Sequence, residues 1–191
     1  PVPGGGSIAA LNGALASALA AMVANLTIGK KKYAEVQDLM RAVAQEAESL
    51  MADFLADVDR DSEAYDRVFA CFKMPKETDE EKAARSAAIQ EATKHAAEVP
   101  LEVARRAYGL MPRIAEVARR GNQNAVTDAC VAMLSARNAV LAALLNVRIN
   151  LASLKDQELA ARLQAEADEL EQQAIAREQE LLQQINQELR V

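Results

Sequence analysis

The side chains that most enzymes use for catalysis are scarce in this chain. It contains one histidine, His95, and two cysteines, Cys71 and Cys130. This set supplies neither the usual ligands of a zinc site nor a histidine-based catalytic triad. The sequence also lacks a phosphate-binding glycine loop ending in Lys-Ser/Thr and a dinucleotide-binding fingerprint. We therefore expect no metal site, and acid–base chemistry would fall to Asp, Glu, Lys or Tyr side chains.

The first candidate binding element is a run of three glycines near the start of the chain. Gly4, Gly5 and Gly6 follow Pro3 and precede Ser7, where the first helix is predicted to begin. Glycines let backbone N–H groups approach a ligand closely, and a helix N-terminus favours negative charge. The same residues could also form a flexible turn that enters the helix, with Ser7 as its N-cap.

Two charged clusters are further candidates. Lys30, Lys31 and Lys32 lie at the junction of two predicted helices, where they would bind an anion or complement a helix C-terminus. Asp61 lies in an acidic stretch, 57–63, of a predicted amphipathic helix. It is therefore either a catalytic carboxylate or part of a solvated surface.

A polar stripe marks a predicted helix that is otherwise rich in Ala, Val, Leu and Met. A polar stripe on such a helix faces solvent or is hydrogen-bonded inside, so it either fixes helix register or positions a ligand. Asp128 and Asn146 would be about 27 Å apart along the axis. They would therefore serve different sites, unless an oligomer brings opposite helix ends together. The stripe falls within about 80° at 100° per residue and comprises Asn124, Asp128, Ser135, Asn146 and Asn150.

The composition predicts the elements that must position these residues. Ala, Leu, Glu, Gln and Arg favour helices, and the 191 residues include only 7 glycines and 5 prolines. No segment shows the alternating pattern of a strand. We predict an all-α fold, a single helical domain over residues 1–191 that lacks some N-terminal sequence.

Charge and cysteine content limit the partners and the location. The formal net charge is −6, from 22 Lys and Arg against 28 Asp and Glu. We expect no nucleic-acid binding, because such binding depends on basic surfaces that face phosphates. Two cysteines do not make a disulfide framework, and nothing indicates secretion, so we expect a cytoplasmic protein. Both cysteines are expected to be small, buried side chains.

The uncharged segment 8–28 is long enough to cross a membrane. It is mostly alanine, however, and it contains Asn12, Ser17 and Asn25. It also lacks the basic N-terminal flank that a signal peptide would carry. We interpret it as a buried central helix and expect no membrane association.

Helical periodicity continues through the middle of the chain. Residues 33–72 contain neither Gly nor Pro, and their apolar positions recur at helical spacing, which predicts one long helix. Thr78 and Glu81 form a capping box at the start of the next helix, which is expected to end at Val99.

Prolines and caps predict the remaining elements. Pro100 would begin another helix, with a break at Pro112 and a stop at Gly121. A further helix is predicted over about 125–154. Asp156 would cap a last, polar amphipathic helix that reaches the C-terminus.

Taken in order along the chain, these segments resemble the cyclodeaminase domain of formiminotransferase-cyclodeaminase and its stand-alone relatives, the methenyltetrahydrofolate cyclohydrolases. The resemblance lies in the succession of motifs over most of the chain, and the stand-alone cyclohydrolases also share the region from Pro75 to Arg85. The matching stretches are Pro1-Val-Pro-Gly-Gly-Gly-Ser7, Leu26-Thr-Ile-Gly-Lys-Lys-Lys-Tyr33, Asp61 with Ala64-Tyr65, Val99-Pro100-Leu101, Gly121-Asn122 with Thr127-Asp128, and Asn146-Val147 through Asn150.

The resemblance implies an up-and-down bundle of long helices that pairs into a homodimer, with folate held in clefts associated with the dimer. A tetrahydrofolate derivative would be the substrate, without a metal. Methenyltetrahydrofolate carries an amidinium cation. Its hydrolysis requires a water molecule to attack the carbon of that cation. A nearby carboxylate can stabilise this cation or take a proton from water.

The resemblance also suggests which residues form the site. Our hypothesis assigns Asp61 or Asp128 as the catalytic carboxylate and Lys31 as an acid or anion anchor. The candidate substrate-binding residues are Pro3, Gly4, Gly5, Gly6, Ser7, Lys30, Tyr65, Asn122, Asn124, Asn146 and Asn150.

Three functions follow from these patterns as alternatives. The first is hydrolysis of 5,10-methenyltetrahydrofolate to 10-formyltetrahydrofolate, because the motifs match stand-alone cyclohydrolases most closely. The second is formiminotetrahydrofolate cyclodeaminase, which releases ammonia and forms 5,10-methenyltetrahydrofolate. The third is a non-catalytic helical dimer or adaptor that uses the apolar stripe of the C-terminal helix as a partner-binding surface.

Overall fold

The computed structural model describes residues 3–189, and over this range the fold is all-α without a strand, as predicted. Two short 3₁₀ helices, Lys31–Val36 and Gln123–Ala125, precede α2 and α4. The five long helices are α1 (Gly5–Asn25), α2 (Gln37–Phe72), α3 (Asp79–Arg120), α4 (Val126–Leu151) and α5 (Gln157–Glu188).

Helix α1 forms the centre of the fold, as the uncharged segment 8–28 predicts. It packs against α2, α3 and α4. At Gly13 the contact with α2 is close, since a β-carbon there would lie 2.6 Å from the Phe54 ring. The fully buried Phe54 therefore packs directly on the α1 backbone.

Among residues 3–189, two helical segments are long and apolar enough to cross a membrane, namely α1 and Gln123–Leu151. Core helices of folded proteins can be equally long and apolar. The most apolar part of α1 is 61% buried inside the fold, and the corresponding part of the second segment is 44% buried.

Helix α3 is continuous, so the expected boundary at Pro100 and break at Pro112 were wrong. The helix runs through both prolines for 42 residues. Pro100 and its neighbours Val99 and Leu101 are buried against the other helices. This packing outweighs the backbone hydrogen bond that each proline removes. The predicted capping box is confirmed, because the Thr78 and Glu81 side chains bond reciprocally with each other's backbone.

The junction between α1 and α2 also differs from the prediction of one helix over 33–72. Residues 31–36 form a 3₁₀ turn, and Tyr33 leaves the helical region with φ −114° and ψ 29°. The Gln37 side chain closes this turn by accepting from the Gly29 N–H at 2.7 Å and donating to the Tyr33 carbonyl at 2.8 Å. These side-chain bonds replace the regular backbone bonds of a helix.

Helix α5 covers one side of the fold and is fixed by ion pairs as well as by its apolar stripe. Arg105 on α3 forms a two-pronged contact with Glu166, at 2.5 and 2.7 Å. Arg148 on α4 donates to Asp168 at 2.8 Å and to Glu171 at 2.5 Å. The hydrogen bond from Arg105 holds the pKa of Glu166 below its usual range.

The two cysteines are free and only half-buried, so the prediction of buried thiols was wrong. Cys71 lies in the last turn of α2, between the exposed residues Ala70 and Phe72. Cys130 lies in the second turn of α4, where burial raises the pKa of its thiol.

Candidate functional site

A cavity of about 380 Å³ opens where the start of α1 meets the middle of α2 and the end of α4. The α1 backbone and polar side chains from the two other helices meet there, and apolar residues from α2, α3 and α4 complete the wall. The lining residues are Gly4, Gly5, Asp61, Ser62, Ala64, Tyr65, Val68, Ala96, Asn146, Ile149 and Asn150.

Asp61 is held at the N-terminal end of α1 by a buried hydroxyl. Ser7 Oγ donates to Asp61 Oδ2 at 3.0 Å, with the Val58 carbonyl at 3.1 Å as an alternative acceptor. Ser7 is 1% exposed and lies inside α1, whose N-cap is Gly4. The prediction of Ser7 as N-cap was therefore wrong: its side chain orients Asp61 and satisfies no backbone N–H of the first turn.

The glycines permit close approach of side chains to the start of α1. A β-carbon on Gly6 would lie 1.9 Å from Asp61 Oδ1, and one on Gly5 would lie 3.2 Å from Asn146 Nδ2. Any side chain at Gly6 would displace the carboxylate. The positive end of the α1 dipole therefore faces Asp61, an arrangement that stabilises a negative charge.

Two asparagines of α4 form the opposite wall. Asn146 Nδ2 donates to the Ala142 carbonyl at 2.8 Å, and Asn150 Nδ2 donates to the Ala96 carbonyl of α3 at 2.9 Å. No hydrogen bond of residues 3–189 uses the side-chain oxygen of either asparagine. Both oxygens are therefore free to accept from a polar ligand in the cavity.

The α2 wall is anchored to α3 by an ionic network around the buried Asp57, one helical turn before Asp61. Asp57 is 1% exposed and accepts from Arg60 at 2.5 Å and from Arg106 of α3. Glu102 bonds Arg60 at 2.9 Å, and this contact, with Asp57, raises the pKa of Arg60. A buried carboxylate with two guanidinium partners fixes the register of the two helices.

The remaining candidates lie at the opposite end of α1. The 21 residues of α1 separate the two ends by about 30 Å. Lys30 and Lys31 are exposed there, Asn124 is exposed, and Asp128 is half-buried in the first turn of α4.

Asn122 is buried at the same end, where it has a structural role. Its backbone N–H donates to Thr27 Oγ1 at 2.8 Å, and its Oδ1 accepts from the Asn124 N–H at 3.3 Å. The first bond holds the turn before α4 against the end of α1, and the second closes the turn itself.

Within one protomer, the structure thus brings together only part of the predicted site. Gly4, Gly5, Asp61, Tyr65, Asn146 and Asn150 line one cavity. Pro3 is exposed beside it, and Gly6 and Ser7 are buried behind the carboxylate.

The cavity also contains residues that were not among the candidate site residues. Ala64 and Val68 lie three and seven positions after Asp61, so helical spacing from Asp61 could have found them. Ile149 likewise lies one turn after Asn146. Ala96 comes from the middle of α3, and no sequence signal places that residue at the site.

No group of three or more His, Cys, Asp or Glu side chains in the described range is arranged to hold a metal ion. His95 is half-buried and lines a separate, shallow cavity of about 190 Å³ with Arg60, Glu63, Ala64 and Arg67.

Comparison with known proteins agrees with the resemblance noted in the sequence. The chain is 46% identical over 160 residues to the methenyltetrahydrofolate cyclohydrolase of Methylorubrum extorquens, covering 84% of this chain and 77% of that protein. It is 36% identical over 154 residues to the formimidoyltransferase-cyclodeaminase of Rattus norvegicus, which covers 81% of this chain but only 28% of the rat protein.

A solved structure and a family model extend the comparison. The crystal structure of formiminotetrahydrofolate cyclodeaminase from Thermotoga maritima matches with a TM-score of 0.81 and 29% identity, over 97% of this chain and 90% of that chain. The model of the formiminotransferase-cyclodeaminase family matches residues 1–169. The chain therefore belongs to the formiminotransferase-cyclodeaminase family.

Proposed function

We propose that this protein hydrolyses 5,10-methenyltetrahydrofolate to 10-formyltetrahydrofolate, with Asp61 as the catalytic carboxylate. The observation that carries the proposal is the position of Asp61, which lies on the cavity wall and is held by Ser7 against the start of α1. The 46% identity to a methenyltetrahydrofolate cyclohydrolase supports the same activity.

The reaction needs a group that stabilises a cation and accepts a proton. The methenyl carbon bridges N5 and N10 as an amidinium, so a carboxylate beside it lowers the energy of the bound cation. Asp61 takes a proton as the oxygen of water bonds to that carbon. The tetrahedral adduct then collapses: the bond from carbon to N5 breaks, its electron pair stays on N5, and N5 takes the proton from Asp61. The hydroxyl of the adduct loses its own proton to solvent as the formyl C=O bond forms.

The other polar groups of the cavity would hold the substrate in place. The free side-chain oxygens of Asn146 and Asn150 can accept hydrogen bonds from the N–H groups of the reduced pterin ring. The exposed backbone at Gly4 and Gly5 lies beside Asn146 and leaves room for the ligand.

We further propose a homodimer formed through an apolar face of α1 and α4. Helix α1 contains no charged residue. The exposed apolar residues of this face, hereafter the α1/α4 face, are Ile8, Leu11, Leu15 and Met22 of α1 and Val131, Leu134, Leu145 and Ile149 of α4. A row of exposed apolar side chains on neighbouring helices is typical of a protein interface.

A second copy on this face would account for the candidates that lie far from Asp61. A two-fold axis perpendicular to α1 near its middle reverses the direction of α1 in the partner. The partner's Lys31 and the partner's Asp128 would then lie near the cavity that contains Asp61. Lys31 would contribute a proton or bind an anionic group of the substrate.

Cyclodeamination is the alternative. The Thermotoga maritima cyclodeaminase shares the fold at 29% identity, which is less support than the 46% identity to a cyclohydrolase. In cyclodeamination N10 attacks the formimino carbon on N5. The formimino nitrogen is protonated and leaves as ammonia. The same carboxylate and lysine could carry these proton transfers.

A spectrophotometric assay distinguishes these functions. We expect the protein to consume methenyltetrahydrofolate faster than the uncatalysed rate. In Asp61→Asn the catalysed rate should fall at least a hundredfold. Formation of methenyltetrahydrofolate from formiminotetrahydrofolate, without accelerated loss, would instead indicate a cyclodeaminase. If neither substrate changes and folates produce no thermal shift, the chain is not a folate enzyme and the adaptor function is favoured.

A further inference from the structure

We propose that Tyr65, Phe69 and Lys73 bind the p-aminobenzoyl-glutamate tail of the folate substrate. This inference rests on the proposed folate activity, and it assigns a subsite outside the cavity in which the one-carbon bridge would react. Tyr65 and Phe69 would contact the aromatic ring of the tail, and Lys73 would bind a glutamate carboxylate.

The first observation is an exposed aromatic platform at the edge of the cavity. Tyr65 lines the cavity, and its side chain is 63% exposed. The Tyr65 and Phe69 rings are nearly parallel, 8° apart, with centroids separated by 6.3 Å. Phe69 is itself 51% exposed, so neither ring of the pair is buried in the core. An exposed pair of parallel rings is suited to stacking with another aromatic ring.

The second observation is a cation at the far end of this platform. Lys73 Nζ lies 4.6 Å from the centroid of the Phe69 ring. Among residues 3–189, no salt bridge to Lys73 occurs, in contrast to the lysine pairs Lys82–Asp79 and Lys94–Glu98. Lys73 therefore has a charge available for an external anion.

Contacts of the neighbouring turn hold Lys73 in place. Arg85 of α3 donates to the Phe72 carbonyl from Nη2 at 3.1 Å, and its guanidinium lies 5.7 Å from the centroid of the Phe72 ring. The backbone on the N-terminal side of Lys73 is thus attached to α3. A fixed backbone reduces the entropy that Lys73 loses when it binds an anion.

The order of these groups matches the order of groups in the substrate. Along α2 the sequence is the Asp61 carboxylate, the Tyr65 and Phe69 rings, and then the Lys73 ammonium. In the folate it is the cationic carbon bridge, the p-aminobenzoyl ring, and then the glutamate carboxylates. Each protein group is thus matched by a folate group of opposite charge or by an aromatic ring. This match fixes the direction in which the substrate would lie.

The shallow cavity beside His95 is the other place where a carboxylate could bind. It shares Ala64 with the main cavity and contains Arg60 and Arg67. Arg60, however, is already engaged by Asp57 and Glu102, and Glu63 lines the same cavity. These carboxylates make it a weaker anion site than Lys73, which has no salt bridge within the described range.

The test compares 5,10-methenyltetrahydrofolate with 5,10-methenyltetrahydropteroate, the same molecule without its glutamate. For the glutamate-bearing substrate, Lys73→Ala should raise KM about two- to fivefold, the range of an exposed ion pair, with kcat unchanged. For the pteroate substrate, Lys73→Ala and the unaltered protein should have equal KM values. Lys73→Arg should restore the difference, and Phe69→Ala should raise KM for both substrates.

Lys82→Ala is the matched control, because it removes another exposed lysine nearby whose charge is paired with Asp79. An equal effect of Lys73→Ala on both substrates, or none on either, would overturn the proposal. If Arg67→Ala alone removes the preference for glutamate, the tail binds in the shallow cavity instead. If the unaltered protein turns over neither substrate and binds no tetrahydrofolate, the proposed function itself fails.

Discussion

The Ser7 hydroxyl on α1 donates a hydrogen bond to the Asp61 carboxylate on α2, at 3.0 Å and across 54 positions of sequence. Ser7 is too deeply buried to contact a ligand, so its contribution is to orient the carboxylate. We predict that Ser7→Ala lowers kcat by about ten- to a hundredfold, because a hydrogen bond to a charged group contributes about 1.5–3 kcal/mol.

Steady-state kinetics with methenyltetrahydrofolate checks this prediction. Ser17→Ala is the matched control, since Ser17 is also buried on α1 but donates only to the Gly13 carbonyl of its own helix. It should leave kcat unchanged. Equal kcat values for the two variants would show that Ser7 does not position Asp61.

Two glycine substitutions should have opposite effects. Gly6→Ala places a methyl group on Asp61 Oδ1, so we expect activity to fall at least a hundredfold and the free energy of unfolding to fall by about 1–3 kcal/mol. Gly109 is a solvent-exposed position in the middle of α3, and a β-carbon there would meet no atom within 4 Å. Gly109→Ala should stabilise the protein by about 0.5–1 kcal/mol with activity unchanged.

Denaturant unfolding and the hydrolysis assay on both variants provide the measurements. A fully active Gly6→Ala protein would mean that the Asp61 carboxylate need not lie against α1. Destabilisation by Gly109→Ala would contradict the open space around that residue.

Removal of Arg106 should destabilise the fold far more than removal of its neighbour Arg105. Arg106→Ala leaves the buried Asp57 with Arg60 as its remaining partner, so we expect a loss of about 3 kcal/mol. Arg105→Ala removes an exposed pair with Glu166 and should lose less than about 1 kcal/mol. Urea unfolding at neutral pH compares the two, and similar losses would contradict the buried network.

The pair between Arg105 and Glu166 should contribute a small, pH-dependent increment of stability. The hydrogen bond from Arg105 lowers the pKa of Glu166 in the folded state. The stabilisation is therefore present above the pKa of an unfolded glutamate, and it disappears as the pH falls through the folded-state value. Glu166→Gln should be less stable than the unaltered protein at pH 7 and equally stable near pH 2, as measured by thermal unfolding at each pH.

A charge on the α1/α4 face should prevent self-association. Leu15→Glu should yield a monomer by analytical ultracentrifugation, with activity reduced at least tenfold because the site would lack Lys31 from the partner. Leu55→Glu, at an equally exposed leucine on α2, should leave mass and activity unchanged. A fully active monomeric Leu15→Glu variant would contradict a shared site.

Local sequence signals predicted the elements that depend on local physics. The alanine-rich α1, the Thr78–Glu81 capping box and the all-α class follow from helix propensity and capping. Pro100 and Pro112 gave the wrong boundaries, because the burial of α3 outweighs two missing backbone hydrogen bonds. Gly29 is the only described residue with positive φ, at 79°, and it lies beside the three lysines that were predicted to mark the junction of two helices.

The site was less accessible to sequence reasoning. Asp61, Asn146 and the glycines could be selected as candidates, but their meeting at one cavity depends on how α1, α2 and α4 pack. The role of Ser7 was missed for the same reason, since a serine after three glycines looks like an N-cap. The network around Asp57 joins residues 49 positions apart, and no spacing rule connects Asp57 with Arg106.

The contact between Gly6 and Asp61 has a consequence for the refolding of this protein. Helices of this composition form within microseconds, so the circular dichroism signal should recover early. Asp61 reaches its position only after α2 has docked on the bare backbone of α1, with no tolerance for even one methyl group. Recovery of catalysis after dilution from denaturant should therefore lag behind recovery of helix content, and turnover would report native docking more strictly than any spectroscopic measure of helicity.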